Sequence, residues 1–217
     1  MTRYATGVFY HPSFSRRSYL TAGARLADFP MALDGILRDE RVKLYEPGPV
    51  SRELVLKVHT PELIEGVKGD PLCSTAWHSA GGVVMAGEKI AEGEIGNAFA
   101  FIGAGGHHSG RDFFGGYCCF NDAYFDRVAH QFSDRVRRFR PDLLFWYFGF
   151  DTHQGDYGDI GLTGPCYWNI ALLMRDLAEE VCGGKLAVVL GGGSETKLAT
   201  YLIPPVIERL AGVYGLR

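Results

Sequence analysis

Four apolar runs punctuate the chain, at residues 7–10, 98–102, 143–148 and 186–190. They are hydrophobic at nearly every position rather than at every second one, and each ends in a glycine or a polar group. That is the pattern of a parallel strand buried on both faces. Between the runs the period lengthens. Phe125, Val128, Phe132, Val136 and Phe139 recur at helical spacing, as do Tyr167, Ile170, Met174, Leu177 and Val181, before a stop at Gly183 and Gly184. Thr60 ahead of Pro61 predicts a further helix start, with a capping hydroxyl and a first-turn proline. Strands alternating with helices predict an α/β fold, a three-layer sandwich in which a mainly parallel sheet carries helices on both faces.

Sheets of that kind bind ligands beyond the carboxyl ends of their strands, so the segments after each run carry the candidate chemistry. Residues 98–102 lead into Gly103-Ala-Gly-Gly-His107-His108-Ser-Gly, residues 143–148 into Gly149-Phe150-Asp151, and residues 186–190 into Gly191-Gly-Gly193-Ser194. Glycines allow a sharp turn that brings side chains up to a ligand. An imidazole near its ordinary pKa carries protons at neutral pH, and two in succession suit an acid–base relay. The alternative reading has one histidine capping a helix or bonding a buried carbonyl and the other in solvent.

Composition narrows the class. With 217 residues, 47% hydrophobic and 22% charged, the chain fits one well-buried domain over residues 1–217. A net charge of −3 gives no footprint for direct nucleic-acid binding. The basic run Arg135, Arg137, Arg138 and Arg140 closes a predicted helix, where cations complement the dipole, and reads as a solvated terminus. No run reaches membrane-spanning length and no secretory leader is evident, so a cytoplasmic protein is expected. Five cysteines without C-x-x-C spacing argue against a disulfide framework, and Cys118 and Cys119 are expected to pack as small hydrophobes. Neither Gly103-x-Gly105 nor Gly191-x-Gly193 has the third glycine of a dinucleotide site.

The pattern Gly-His107-His108, a short spacer, then Gly116-Tyr117-Cys-Cys-Phe-Asn121-Asp122 resembles the histone deacetylase and acetylpolyamine amidohydrolase superfamily. Tyr10-His11-Pro12, Val58-His59-Thr60-Pro61, Ala80-Gly-Gly82, Gly149-Phe-Asp151-Thr-His153-x-Gly-Asp156 and Leu190-Gly-Gly-Gly193 are similar to its segments, in the same order. The resemblance implies an arginase-like α/β fold and a zinc-dependent hydrolase that removes acyl groups from an acylated lysine peptide or an acylated polyamine. It implies His107 and His108 as the acid–base pair, Asp151 as a Zn²⁺ ligand, and Gly116 with Tyr117 as a wall of the acyl channel. Tyr117 read without the family is equally a core aromatic.

Two departures stand out against the family. Its remaining metal ligands come from an Asp-x-His strand after the Phe-Asn-Asp helix, and here that block is absent, as though removed at residues 122–123, leaving a reduced sheet. Asp151-Thr152-His153 is itself an Asp-x-His, so His153 is an additional candidate ligand and Asp156 a third, although in the family only the first aspartate binds metal. Ser194 occupies the position of a catalytic tyrosine and is too short to reach the same point. A catalytically inactive member that keeps the pocket as an interaction module is the alternative, and strand edges left unpaired by the missing block favour a homo-oligomer.

Overall fold

The computed structural model describes residues 5–16, 24–106, 109–110, 112–113, 132–159 and 161–213. His107, His108, Gly116 and Tyr117 lie outside these residues, as do Cys118, Cys119 and the junction at residues 122–123.

Among the described residues, five strands form one parallel sheet: β1 (Thr6–Phe9), β2 (Val42–Tyr45), β3 (Asn97–Ala100), β4 (Leu144–Phe148) and β5 (Leu186–Leu190), in the order β2-β1-β3-β5-β4. Among the same residues seven α-helices accompany them: α1 (Ser13–Arg16), α2 (Arg52–Leu56), α3 (Pro61–Gly69), α4 (Ala76–Ala91), α5 (Phe132–Phe139), α6 (Gly164–Cys182) and α7 (Thr196–Ala211). The register aligns Val8 with Phe99, Phe99 with Val188, and Trp146 with Val188. All four expected strands are present within two residues of their apolar runs. β2 is additional; only Val42 of its four residues is buried and Lys43 interrupts it, so no continuous apolar run marks it.

Alternation across the pleat separates two cores. On one face Val8, Phe99, Phe101, Val188 and Phe148 pack with Ala171, Met174 and Leu177 of α6 and with Leu202, Ile203 and Val206 of α7. On the other, Phe9, Ala98, Ala100 and Ala187 meet Ala86 and Ile90 of α4. The strand residues on this second face are mostly alanine, which lets α4 lie close to the sheet. The two helical layers and the sheet between them make the three-layer α/β sandwich that the pattern predicts. Phe99, Phe101, Phe148 and Phe150 are fully buried, and burying each contributes about 1.5–3 kcal/mol. A satellite core under α2 and α3 gathers Val55, Leu63, Ile64 and Val67.

Helix ends follow the expected signals. Thr60 caps α3 by accepting the Leu63 amide, and Gly183 closes α6 in the left-handed conformation at φ 65°. In α5, Val136 is buried, but Phe139 is 81% exposed despite its place in the helical period. The basic end of α5 is solvated as expected, with Arg137 paired to Glu180 of α6 at 2.8 Å. Cys73 is disulfide-bonded, while Cys166 and Cys182 are free thiols.

Candidate active site

Three loops leave the carboxyl edge of the sheet from the adjacent strands β3, β5 and β4. The β3 loop is anchored by α4. Ser79, in the first turn of that helix, donates its hydroxyl to Thr75 O at 2.8 Å and accepts the amides of Gly103 at 3.0 Å and Ala104 at 3.3 Å. Beyond residues 107–108, buried His59 hydrogen-bonds the Gly110 carbonyl at 2.9 Å through Nδ1, the nitrogen that therefore carries the proton. The described segments on either side of residues 107–108 are thus both anchored.

The β4 and β5 loops continue side by side past the end of their ladder, with the Phe150 amide donating to Gly192 O at 2.9 Å. This brings the Asp151 carboxylate against the glycine turn. A Cβ on Gly192 would fall 2.5 Å from Asp151 Oδ1, so the contact requires glycine. Gly193 has φ +117°, a conformation that side chains rarely adopt. Sequence reasoning brought these two loops to one rim, and the structure brings them into contact.

Arg25 holds the rim from below. Its guanidinium is buried and donates to Gly191 O at 2.6 Å, Gly193 O at 3.2 Å and Ile102 O at 2.9 Å, tying the β5 turn to the end of the β3 segment. A single arginine inside the 3₁₀ turn Ala24–Leu26 gives no sequence signal of this. Its partners are backbone carbonyls, which leave no trace in residue type.

Asp156 does a parallel task at the outer side. Only 7% exposed, its carboxylate accepts the amides of Tyr157 at 2.8 Å, Ser194 at 2.9 Å and Glu195 at 3.1 Å, and the Ser194 hydroxyl at 3.0 Å. Glu195 is the N-cap of α7, so Asp156 supplies the anionic cap that this terminus otherwise lacks. Ser194 is therefore at the rim as expected, with its hydroxyl turned to Asp156. His153 is buried, its Nδ1 donating to Gln154 O at 2.6 Å and its ring stacked on Tyr167 at 5.9 Å. Thr152 and Tyr167 share a hydrogen bond of 2.8 Å beside it.

Two phenols shape the electrostatics. Tyr167 is raised above the ordinary tyrosine range, first by burial and then by the charges of Asp151 and Asp156 despite its bond to Thr152. Tyr157 is raised as well, by partial desolvation first and then by the same two carboxylates.

The donor set can be tested for zinc. A metal site needs three or four converging ligands. Among the described residues no three of His, Cys, Asp or Glu gather to hold a metal ion. Asp151 offers one carboxylate at the rim, the Asp156 carboxylate is taken up by four donors, and His153, whose Nδ1 donates to a carbonyl, keeps Nε2 as its one acceptor nitrogen. The described residues do not by themselves fit a zinc ion.

Comparison with known proteins agrees with this geometry. The histone deacetylase domain model matches the chain in two stretches, residues 69–126 and 122–209, which contain the β3, β4 and β5 loops. A probable deacetylase of Archaeoglobus fulgidus is 34% identical over 140 residues, covering 57% of this chain and 36% of that protein. A histone deacetylase-like amidohydrolase of Pseudomonas aeruginosa is 32% identical over 94 residues, 43% of this chain and 25% of that protein. The chain therefore spans about a third or less of the curated relatives it matches. Among solved structures, one titled as the crystal structure of the HDA15 HD domain superposes with a TM-score of 0.83 at 17% identity, the match running over 97% of this chain and 89% of that one, which establishes a shared fold. With the matched stretches covering most of the chain and every loop of the rim, the protein belongs to the histone deacetylase family.

Proposed function

We propose that this protein is a deacetylase-type amide hydrolase acting on acylated lysine peptides or acylated polyamines. The observation that carries the reading is the contact between Asp151 and the Gly191–Gly193 turn, beside the anchored segment that leads into the histidine pair. In this reading His107 and His108 take a proton from the attacking water and return one to the leaving amine, a role worth about 10²–10⁴-fold. Gly116 and Tyr117 line the acyl channel, and Asp151 supplies negative charge at its base. Zinc is the cofactor the family implies. One carboxylate among the described residues does not hold it.

The chain also reads as lacking an internal block near residues 122–123. Support comes from the two matched stretches, which meet and overlap at residues 122–126. Self-association through the β4 edge is part of the same proposal: among the described residues β4 pairs only with β5, and Phe145 on it is 39% exposed.

The test is the initial rate of acyl release from an acetyl-lysine peptide and from a monoacetylated polyamine, with His107→Ala and His108→Ala proteins alongside. Turnover that falls about a hundredfold or more in either variant supports the assignment. Folded protein that binds the peptide without turnover points instead to the interaction module.

A further inference from the structure

Ser194 leaves a gap in the site. Its hydroxyl and its amide both go to Asp156, so neither is directed at a substrate carbonyl. Another hydroxyl stands beside the same turn. The loop after β4 folds back on itself, with the Gly158 amide donating to Asp151 O at 3.0 Å and the Tyr157 amide to Asp156 Oδ1 at 2.8 Å. Tyr157 is thereby returned to the aspartate six residues before it. Its phenol donates to Asp151 Oδ2 at 3.4 Å. The phenolic oxygen therefore stands beside the Asp151 carboxylate, which itself lies against Gly192, two residues before Ser194.

Two features suit this hydroxyl to a ligand rather than to structure. Tyr157 is 66% exposed, so its ring contributes little to either core. The 3.4 Å separation is well outside the 2.5–3.0 Å expected of an O–H···O bond, so the proton is loosely held and free to move to a better acceptor. By contrast Tyr167, the other phenol of the site, is buried and bonded to Thr152 at 2.8 Å.

We propose that Tyr157 supplies the hydroxyl donor that hydrogen-bonds the substrate acyl carbonyl, in place of a side chain at position 194. This rests on the deacetylase reading given above. Carbonyl oxygen gains negative charge as water adds to the carbon, and the Tyr157 O–H turns from Asp151 to that oxygen. No bond of the tyrosine itself is made or broken. The role is electrostatic, and loss of one such donor characteristically lowers kcat by about 10²–10³-fold.

The experiment compares wild type with Tyr157→Phe, which keeps the ring and removes the hydroxyl, and with Tyr45→Phe as a control on β2. The probe is an acetyl-lysine peptide whose amide is replaced by the methyl ketone, carrying ¹³C at the carbonyl. Infrared spectra of the bound probe report the hydrogen bond directly. The expected result is a carbonyl band shifted to lower frequency in wild type and in Tyr45→Phe, and returned toward the solvent-free position in Tyr157→Phe, with kcat on the amide substrate down about 10²–10³-fold and KM little changed. A probe that binds wild type and Tyr157→Phe with the same carbonyl band overturns the assignment and leaves the deacetylase reading standing. A wild-type protein that neither binds the probe nor turns over the amide overturns that reading, and this assignment with it.

Discussion

The Asp156 carboxylate accepts both the amide of Ser194, at 2.9 Å, and its hydroxyl, at 3.0 Å, fastening the loop after β4 to the loop after β5. Because Glu195 adds its own amide at 3.1 Å, one buried carboxylate caps α7 and fixes the shape of the rim. Hydrogen bonds to a charged group contribute about 1.5–3 kcal/mol, and removing the group leaves part-buried amides without an acceptor. Asp156→Ala is expected to lower stability by about 2–4 kcal/mol in urea unfolding, with Asp156→Asn intermediate. An unchanged midpoint in Asp156→Ala would show that the carboxylate is not the fastener.

Arg25 presents a second, deeper fastener. Three carbonyls from two loops converge on its guanidinium. Substitution by methionine fills the volume but leaves the carbonyls unpaired, so Arg25→Met should cost about 3 kcal/mol or more. Lysine, with a compact ammonium in place of the fork, should recover only part of that. Equal stability for Arg25→Lys and wild type by differential scanning calorimetry would contradict the multidentate role.

A stacked histidine pair sets a pH dependence. The rings of His11 and His78 lie 3.8 Å apart at 17°, and His78 Nδ1 is buried with no partner among the described residues. Burial first, and then the neighbouring charge of His11, lower the His78 pKa from 6.5, with Glu46 partly opposing them. The unfolded chain therefore binds this proton more readily than the folded one, so stability rises with pH across this range. It is fully present above the ordinary histidine value and is lost as pH falls through about 6.5 toward the lower folded value. Thermal melts from about pH 7.5 down to about 5.5 should show a smaller loss of Tm for His78→Gln than for wild type. A steeper loss in the variant would reverse the sign.

The exposed edge of the sheet makes a prediction about assembly. Phe145 projects from β4, whose outer backbone has no strand partner among the described residues. Sedimentation velocity should show concentration-dependent association of wild type that is reduced in Phe145→Lys, since a lysine on an edge discourages pairing. A wild-type protein that stays monomeric across the concentration series would count against this edge as an interface.

How much of this was legible beforehand divides along physical lines. β5 could be read off directly, because Leu186–Leu190 is buried at every position and a doubly covered strand must be apolar throughout. β2 could not, because an edge strand with Lys43 and Leu44 in solvent has no continuous run to read. The α6 stop at Gly183 was visible since only a left-handed residue fits there, whereas the exposure of Phe139 depends on where α5 meets its neighbours, which periodicity does not encode. Asp151 was identifiable from its motif. Arg25 was not, since its bonds reach carbonyls 77 to 168 residues away. Tyr157 had no signal in the sequence either; its relation to Asp151 exists only once the loop has closed on Gly158.

The account stands on Asp151 and the glycine turn belonging to one hydrolytic site. Release of acetate from an acetyl-lysine peptide by wild type and by Asp151→Asn, with matched melting temperatures, measures this most directly. The predicted result is turnover in wild type and a loss of about a hundredfold or more in Asp151→Asn, in keeping with the removal of a group that acts in the transition state. Turnover in Asp151→Asn equal to that of wild type would contradict it.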